Sequence, residues 1–142
     1  MTRKAVRAAL GVLLTIAALA YLRDPPWLAS VTAGLHGWET GTDGRPFRWA
    51  SGHASFFVPS DRAAIAIPLR APIATSEQWP VVATIAIDDR QVDQVVLDTP
   101  GWRLVTLRLP GGATRRARRI DIRVNRTDDD NRALQVGEVV LR

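Results

Sequence analysis

The stretch R-R-I-D-I-R-V-N-R, residues 118–126, sets Ile120, Ile122 and Val124 against Asp121, Arg123 and Asn125 in strict alternation. A period of two places the three apolar side chains on one face of an extended strand and the polar ones on the other. The same signature recurs on both sides. Ala54, Phe56 and Val58 form one face of an upstream segment, and Ala63, Ile65, Ile67 and Leu69 form one face of the next. Pro68 marks that second segment as an edge or a bulge, because proline has no N–H to give a ladder. Val81, Ala83, Ile85 and Ile87 run up to the polar turn Asp88-Asp89-Arg90, followed by Q-V-D-Q-V-V-L. Val105, Leu107 and Leu109 share a face after Thr99-Pro100-Gly101, and L-Q-V-G-E-V-V-L-R closes the chain. Turn residues every 8 to 12 positions, with no helical periodicity after His36, predict about eight short strands in an all-β antiparallel sandwich of jelly-roll type. A parallel α/β fold would need crossover helices.

The amino end differs. After T-R-K-A-V-R comes an uncharged run of 15 residues, Ala8 to Leu22, closed by Arg23-Asp24-Pro25-Pro26. As a helix it spans roughly 23 Å, short of the roughly 30 Å hydrocarbon layer. Snorkelling of Arg7 and Arg23 adds Ala5 and Val6 and narrows the gap. Tyr21 and Trp27 stand where interfacial aromatics belong. Residues 1–23 therefore read as a single transmembrane anchor, 24–36 as a juxtamembrane linker with a short helical turn, and 37–142 as the β-sandwich. A cleaved signal peptide with Ala18-Leu19-Ala20 as its site is the competing reading. A buried soluble helix is disfavoured by the lack of a polar face. Basic residues on the amino side place everything after Arg23 outside the cytoplasm. A bacterial inner-membrane protein with a periplasmic carboxyl domain is expected.

Composition narrows the functions. The net charge of +5 looks like a polyanion signal, but Arg3, Lys4, Arg7 and Arg23 lie at the amino end. The remaining 15 basic residues face 14 acidic ones, so the folded part is nearly neutral and a nucleic-acid partner is not expected. The absence of cysteine excludes disulfides, thiolate metal sites and cysteine nucleophiles. His36 and His53 have no metal-ligand spacing, and no serine sits in G-x-S-x-G, so no metal, cofactor or catalytic residue is assigned. A glycosidase pair from Glu39, Glu77 or Glu138 is not selected by spacing. Asp128, Asp129 and Asp130 lack the alternate spacing of a calcium loop and read as a solvated turn.

Phe47 and Trp49 are two apart and point the same way, as a core-facing aromatic pair. Trp38, Trp79 and Trp102 lie beside turns and are the better sugar platforms, since an indole stacks on a sugar only when exposed. Arg115, Arg116, Arg118 and Arg119 place four positive charges in five residues, a turn that could lie against anionic headgroups.

The order G-L-x-G-W-E, F-R-W, A-S-F-F-V-P, I-D-D-R, G-W-R-L-V-T-L and D-x-R-x-L-x-V-G-E, from Gly34 to Arg142, resembles galactose-binding-like β-sandwich modules. Such modules accompany bacterial membrane glycosyltransferases and other envelope proteins. The resemblance implies that Asp130 and Arg132 tie their loop to the opening strand, with Glu39 a partner for Arg132. It also implies a non-catalytic accessory or interaction module in envelope glycan metabolism, with a membrane glycosyltransferase or envelope protein as partner. Direct carbohydrate binding through the three tryptophans is the alternative, and a small glycan-active enzyme a third reading.

Overall fold

The computed structural model describes residues 3–73 and 78–142. Helix α1, Arg3–Arg23, is followed by a 3-10 turn at Leu28–Ser30 and then by nine strands: β1 Thr32–Thr40, β2 Pro46–Pro59, β3 Ala64–Arg70, β4 Val81–Ile87, β5 Arg90–Leu97, β6 Arg103–Arg108, β7 Ala117–Val124, β8 Leu134–Gly137 and β9 Val140–Leu141. At 21 residues α1 is about 32 Å long, enough by length and composition to cross a membrane. None of its apolar window is buried against the rest of the chain.

All strand pairs are antiparallel, in the order β5-β4-β7-β2-β8-β3-β6, with β1 beside β2 and β9 beside β3. The sheet curls because β2 belongs to both halves. Its residues 47–50 pair with β8 and residues 53–59 with β7. The register shows the bend: β2 runs parallel to β3 before Ser51-Gly52 and back toward Pro59 after it. β1 bends alongside, with register shifts on either side of Leu35. Gly34 makes the first bend feasible: its φ is +64°, and a Cβ there would stand 2.0 Å from the His53 carbonyl oxygen. At the opposite side Arg103 Nη1 donates to the Val96 carbonyl at 2.9 Å, joining β6 to β5.

The core fills the space between the halves as the alternation requires. Ile65, Ile67 and Leu69 of β3 and Val105 and Leu107 of β6 meet Val81, Ala83, Ile85 and Ile87 of β4 and Ile120 and Ile122 of β7. Ala54, Phe56 and Val58 of β2 complete it, with Val124 packed at its margin. Ala63 is exposed, because it precedes β3 and belongs to the turn. Pro68 lies on no sheet edge, since β3 pairs with β6 on one side and with β8 and β9 on the other. It sits beside the break between β8 and β9, which is where a missing N–H costs no ladder bond. Residues 32–36, read as linker, are strand in β1, whose T-A-G-L-H-G-W-E-T carries no alternation because nearly all of it is exposed.

Candidate functional site

Strand direction gives the sandwich two ends. At one end Asp24, the first residue after α1, accepts the Arg116 backbone N–H at 3.0 and 3.2 Å and pairs with Arg116 Nε at 3.5 Å. Ser60, the Asp88-Asp89 hairpin and Pro110-Gly111 share this end. The other end carries the start of β4 and β6 and the end of β7, with Trp79, Trp102 and the loop 125–133. The tryptophans read as sugar platforms are therefore separated. Trp79 (72% exposed) and Trp102 (half-buried) are at the far end, whereas Trp38 (57% exposed) is on the flank formed by β1.

Register assembles a second set of residues that the linear sequence does not. Trp49 of β2 pairs with Gln135 of β8, and Gln135 with Arg70 of β3. The Arg70 guanidinium then stacks over Trp102 at 5.8 Å. Residues paired across strands share a face, so Trp49, Gln135 and Arg70 form one row across three strands, continued by Trp102 just before β6, on the side opposite Ala50, Leu134 and Leu69 of the core. The next row carries Glu39, Phe47, Gly137 and Pro68. Phe47 and Trp49 do point the same way, meeting edge to face with ring centroids 6.1 Å apart. Their face is the outer one: Phe47 is buried outside the central cluster, and Trp49 is half-buried.

Arg132 closes one end of the row, its guanidinium 5.1 Å from the Trp49 ring. It pairs with Asp130, and its Nε lies 3.3 Å from Asp128. The Asp128 carboxylate also accepts the backbone N–H groups of Asp130 and Arg132, at 3.0 and 2.7 Å. Arg132 thus joins its loop to β2 through Trp49. No ion pair with Glu39, which is exposed on β1, occurs among the described residues. At the other end Trp102 Nε1 donates to Asp43 Oδ2 at 3.2 Å. The Arg45 N–H holds the Asp43 carboxyl below the usual aspartate range against an opposing desolvation effect, with the Trp102 N–H a lesser cause. Between the two stacks Gln135 is 7% exposed and its Oε1 has no hydrogen-bond partner among the described residues. Arg70 likewise makes no ion pair with a described carboxylate.

A further stack involves Trp38, with Arg48 at 5.4 Å. Arg48 Nε donates to the His36 carbonyl at 2.6 Å, which fixes the β1 bend. Trp38, Leu35, Phe56 and Glu138 line a cleft of about 190 Å³ on that flank.

The four arginines read as a membrane-facing cluster divide by environment. Arg118 is 7% exposed and donates to Asp88 at 2.7 Å and to the Pro110 and Gly111 carbonyls. Arg119 pairs with Asp89 and, at 2.8 Å, with Asp121; the Asp121 hydrogen bond is the main cause of its raised pKa. Its backbone N–H also reaches Asp88 at 2.9 Å. These bonds hold a hairpin in which Asp88 and Asp89 both have positive φ, 49° and 68°. Arg115 and Arg116 stay at the surface.

Among the described residues no group of three or more metal-ligating side chains converges. Glu77 lies outside the described residues. His36 Nε2 approaches Ser51 Oγ at 3.5 Å, too long for a strong hydrogen bond.

No protein-family model matches the sequence, and no curated protein matches it. Solved structures do resemble it in fold. A family 35 carbohydrate-binding module from an environmental isolate superposes with a TM-score of 0.55 at 11% identity, over 84% of this chain and 90% of that one. A family two carbohydrate esterase from Cellvibrio japonicus gives 0.50 at 14% identity, over 80% of this chain. The chain spans only 31% of that esterase's length. At such identities the likeness is one of fold: an antiparallel β-sandwich resembling a carbohydrate-binding module, preceded by one apolar helix.

Proposed function

We propose that this chain is a membrane-tethered, non-catalytic glycan-binding module whose sandwich lies on the periplasmic side of a bacterial inner membrane. The observation that carries the proposal is the row Trp49–Gln135–Arg70–Trp102 on the outer sheet face. Two half-buried indoles three strand spacings apart, about 14 Å, match a short saccharide better than a single ring. Between them the half-buried Arg70 guanidinium, which makes no ion pair with a described carboxylate, offers N–H donors to hydroxyls, whereas the unpartnered Gln135 Oε1 and Arg70 Nε lie buried beneath the surface. Indole, guanidinium and amide groups hold a ligand but do not exchange protons near neutral pH, so a binding role suits this face better than acid–base chemistry. The fold resemblance to a carbohydrate-binding module supports the same reading. Trp79, exposed at the far end, is a further stacking surface for a longer chain.

Titration of the full chain in detergent with envelope and plant glycans, followed by tryptophan emission, tests the proposal. A saturable shift that Trp102→Ala and Trp49→Ala each remove supports it. Unchanged emission with every glycan, together with a membrane protein co-purifying in fixed ratio, would replace it with an assembly role. Alkaline extraction of membranes and amino-terminal sequencing separate the anchor from a signal peptide cut after Ala20.

A further inference from the structure

The contact between Asp24 and Arg116 fixes where the sandwich stands relative to α1. Asp24 N donates to the Ala20 carbonyl at 3.2 Å, so the helix runs into it without a break. Its carboxylate then holds the Arg116 backbone. Pro25 is buried, and the Leu28–Ser30 turn lies just beyond it. Loop 111–116 is therefore one residue from the helix end, at the height where a bilayer's phosphates lie if α1 spans it. Trp27, 54% exposed, lies at the same level.

A cleft of about 350 Å³ opens beneath this loop. Its walls are Phe57, the loop residues Gly112 to Thr114, and five charged residues: Arg115, Arg118, Arg119, Asp88 and Asp89. Arg118 and Arg119 are engaged by the aspartates, as described above, whereas Arg115 makes no ion pair among the described residues. The cleft thus carries three cations against two anions, and the uncompensated one, Arg115, is exposed. We infer that this cleft is a binding site for the phosphate headgroup of an anionic phospholipid, with Arg115 as the direct contact and the Asp24–Arg116 bond holding the cleft at headgroup depth. The inference rests on the reading of α1 as a membrane anchor. It is independent of the glycan face at the other end of the sandwich.

The chain has no cysteine, so Thr114→Cys provides a single site for a spin label at the cleft. The full chain is placed in nanodiscs of phosphatidylcholine alone or mixed with phosphatidylglycerol. Collisions of the label with a water-soluble relaxant should fall in the anionic discs. Arg115→Glu should abolish that difference, whereas Arg45→Glu, the same charge change at a remote turn, should leave it intact. Removing one contact of this kind weakens headgroup association by about fivefold. Equal accessibility in both discs, with the protein resisting alkaline extraction, would overturn the headgroup site and leave the anchor standing. Release by alkali would overturn both.

Discussion

Gly137 lies directly beneath Trp102: a Cβ built on it would stand 3.5 Å from indole Cζ3 and 2.9 Å from the Cβ of Pro68. An added Cβ would be in ordinary contact with the indole but too close to Pro68. Gly137→Ala should therefore press on Pro68 and cost about 1–3 kcal/mol through overpacking, leaving the Trp102–Asp43 contact in place. Thermal unfolding measures the loss, and tryptophan emission should stay unchanged. An unchanged melting temperature would mean that Pro68 yields without strain.

Arg118 is the buried member of the Asp88–Asp89 clip. Arg118→Met should destabilise the fold by about 2 kcal/mol, because it strands the Pro110 carbonyl and a hairpin whose two central residues have positive φ. The loss stays moderate because Asp88 is half-exposed and can hydrate. Denaturant unfolding should show it. Arg115→Met, at the surface, should fall within about 0.5 kcal/mol of the parent.

Acid should loosen the Trp102 end of the row only at low pH. The folded-state pKa of Asp43 is depressed, so its contribution is fully present above the unfolded pKa and is lost as pH falls through the folded value. Tryptophan emission should therefore stay constant from neutral pH down past the usual aspartate range and change below it. In Asp43→Asn the acid transition should be absent. A transition that survives in that variant would assign it to another carboxylate.

Glycan affinity should fall by roughly tenfold or more in Trp102→Ala and Trp49→Ala, by the loss of about 1–2 kcal/mol of ring contact. Arg70→Gln should weaken binding while leaving the fold intact, because Arg70 makes no ion pair with a described residue. Isothermal titration on variants with parental melting temperatures separates binding from folding.

The sandwich was legible where a strand buries one face: Val81, Ala83, Ile85 and Ile87, and Ile120 and Ile122, lie in the core as their alternation requires. β1 was not legible, since an exposed ribbon has no apolar period to read. Phe47 and Trp49 show a subtler limit. Their spacing establishes that they share a face, but which side of the sheet that face takes depends on the bend at Ser51-Gly52 and on pairing with β8, 80-odd residues away. The row with Gln135 and Arg70 exists only through that pairing. The R-R-A-R-R run was legible only in part for a related reason. Charge along the chain does not reveal that Asp88, Asp89 and Asp121 come to meet Arg118 and Arg119.

The short, pinned junction at Asp24 also sets a working distance. The seven residues of β4 span about 23 Å, so under the proposed anchoring Trp79 and Trp102 patrol a layer only that far above the lipid. A polymer threaded close to the bilayer would be within their grasp, and one lying farther out would not. Lengthening the junction with a flexible insert at Pro26 should thus alter which substrates the protein meets in the cell while leaving its intrinsic affinity untouched.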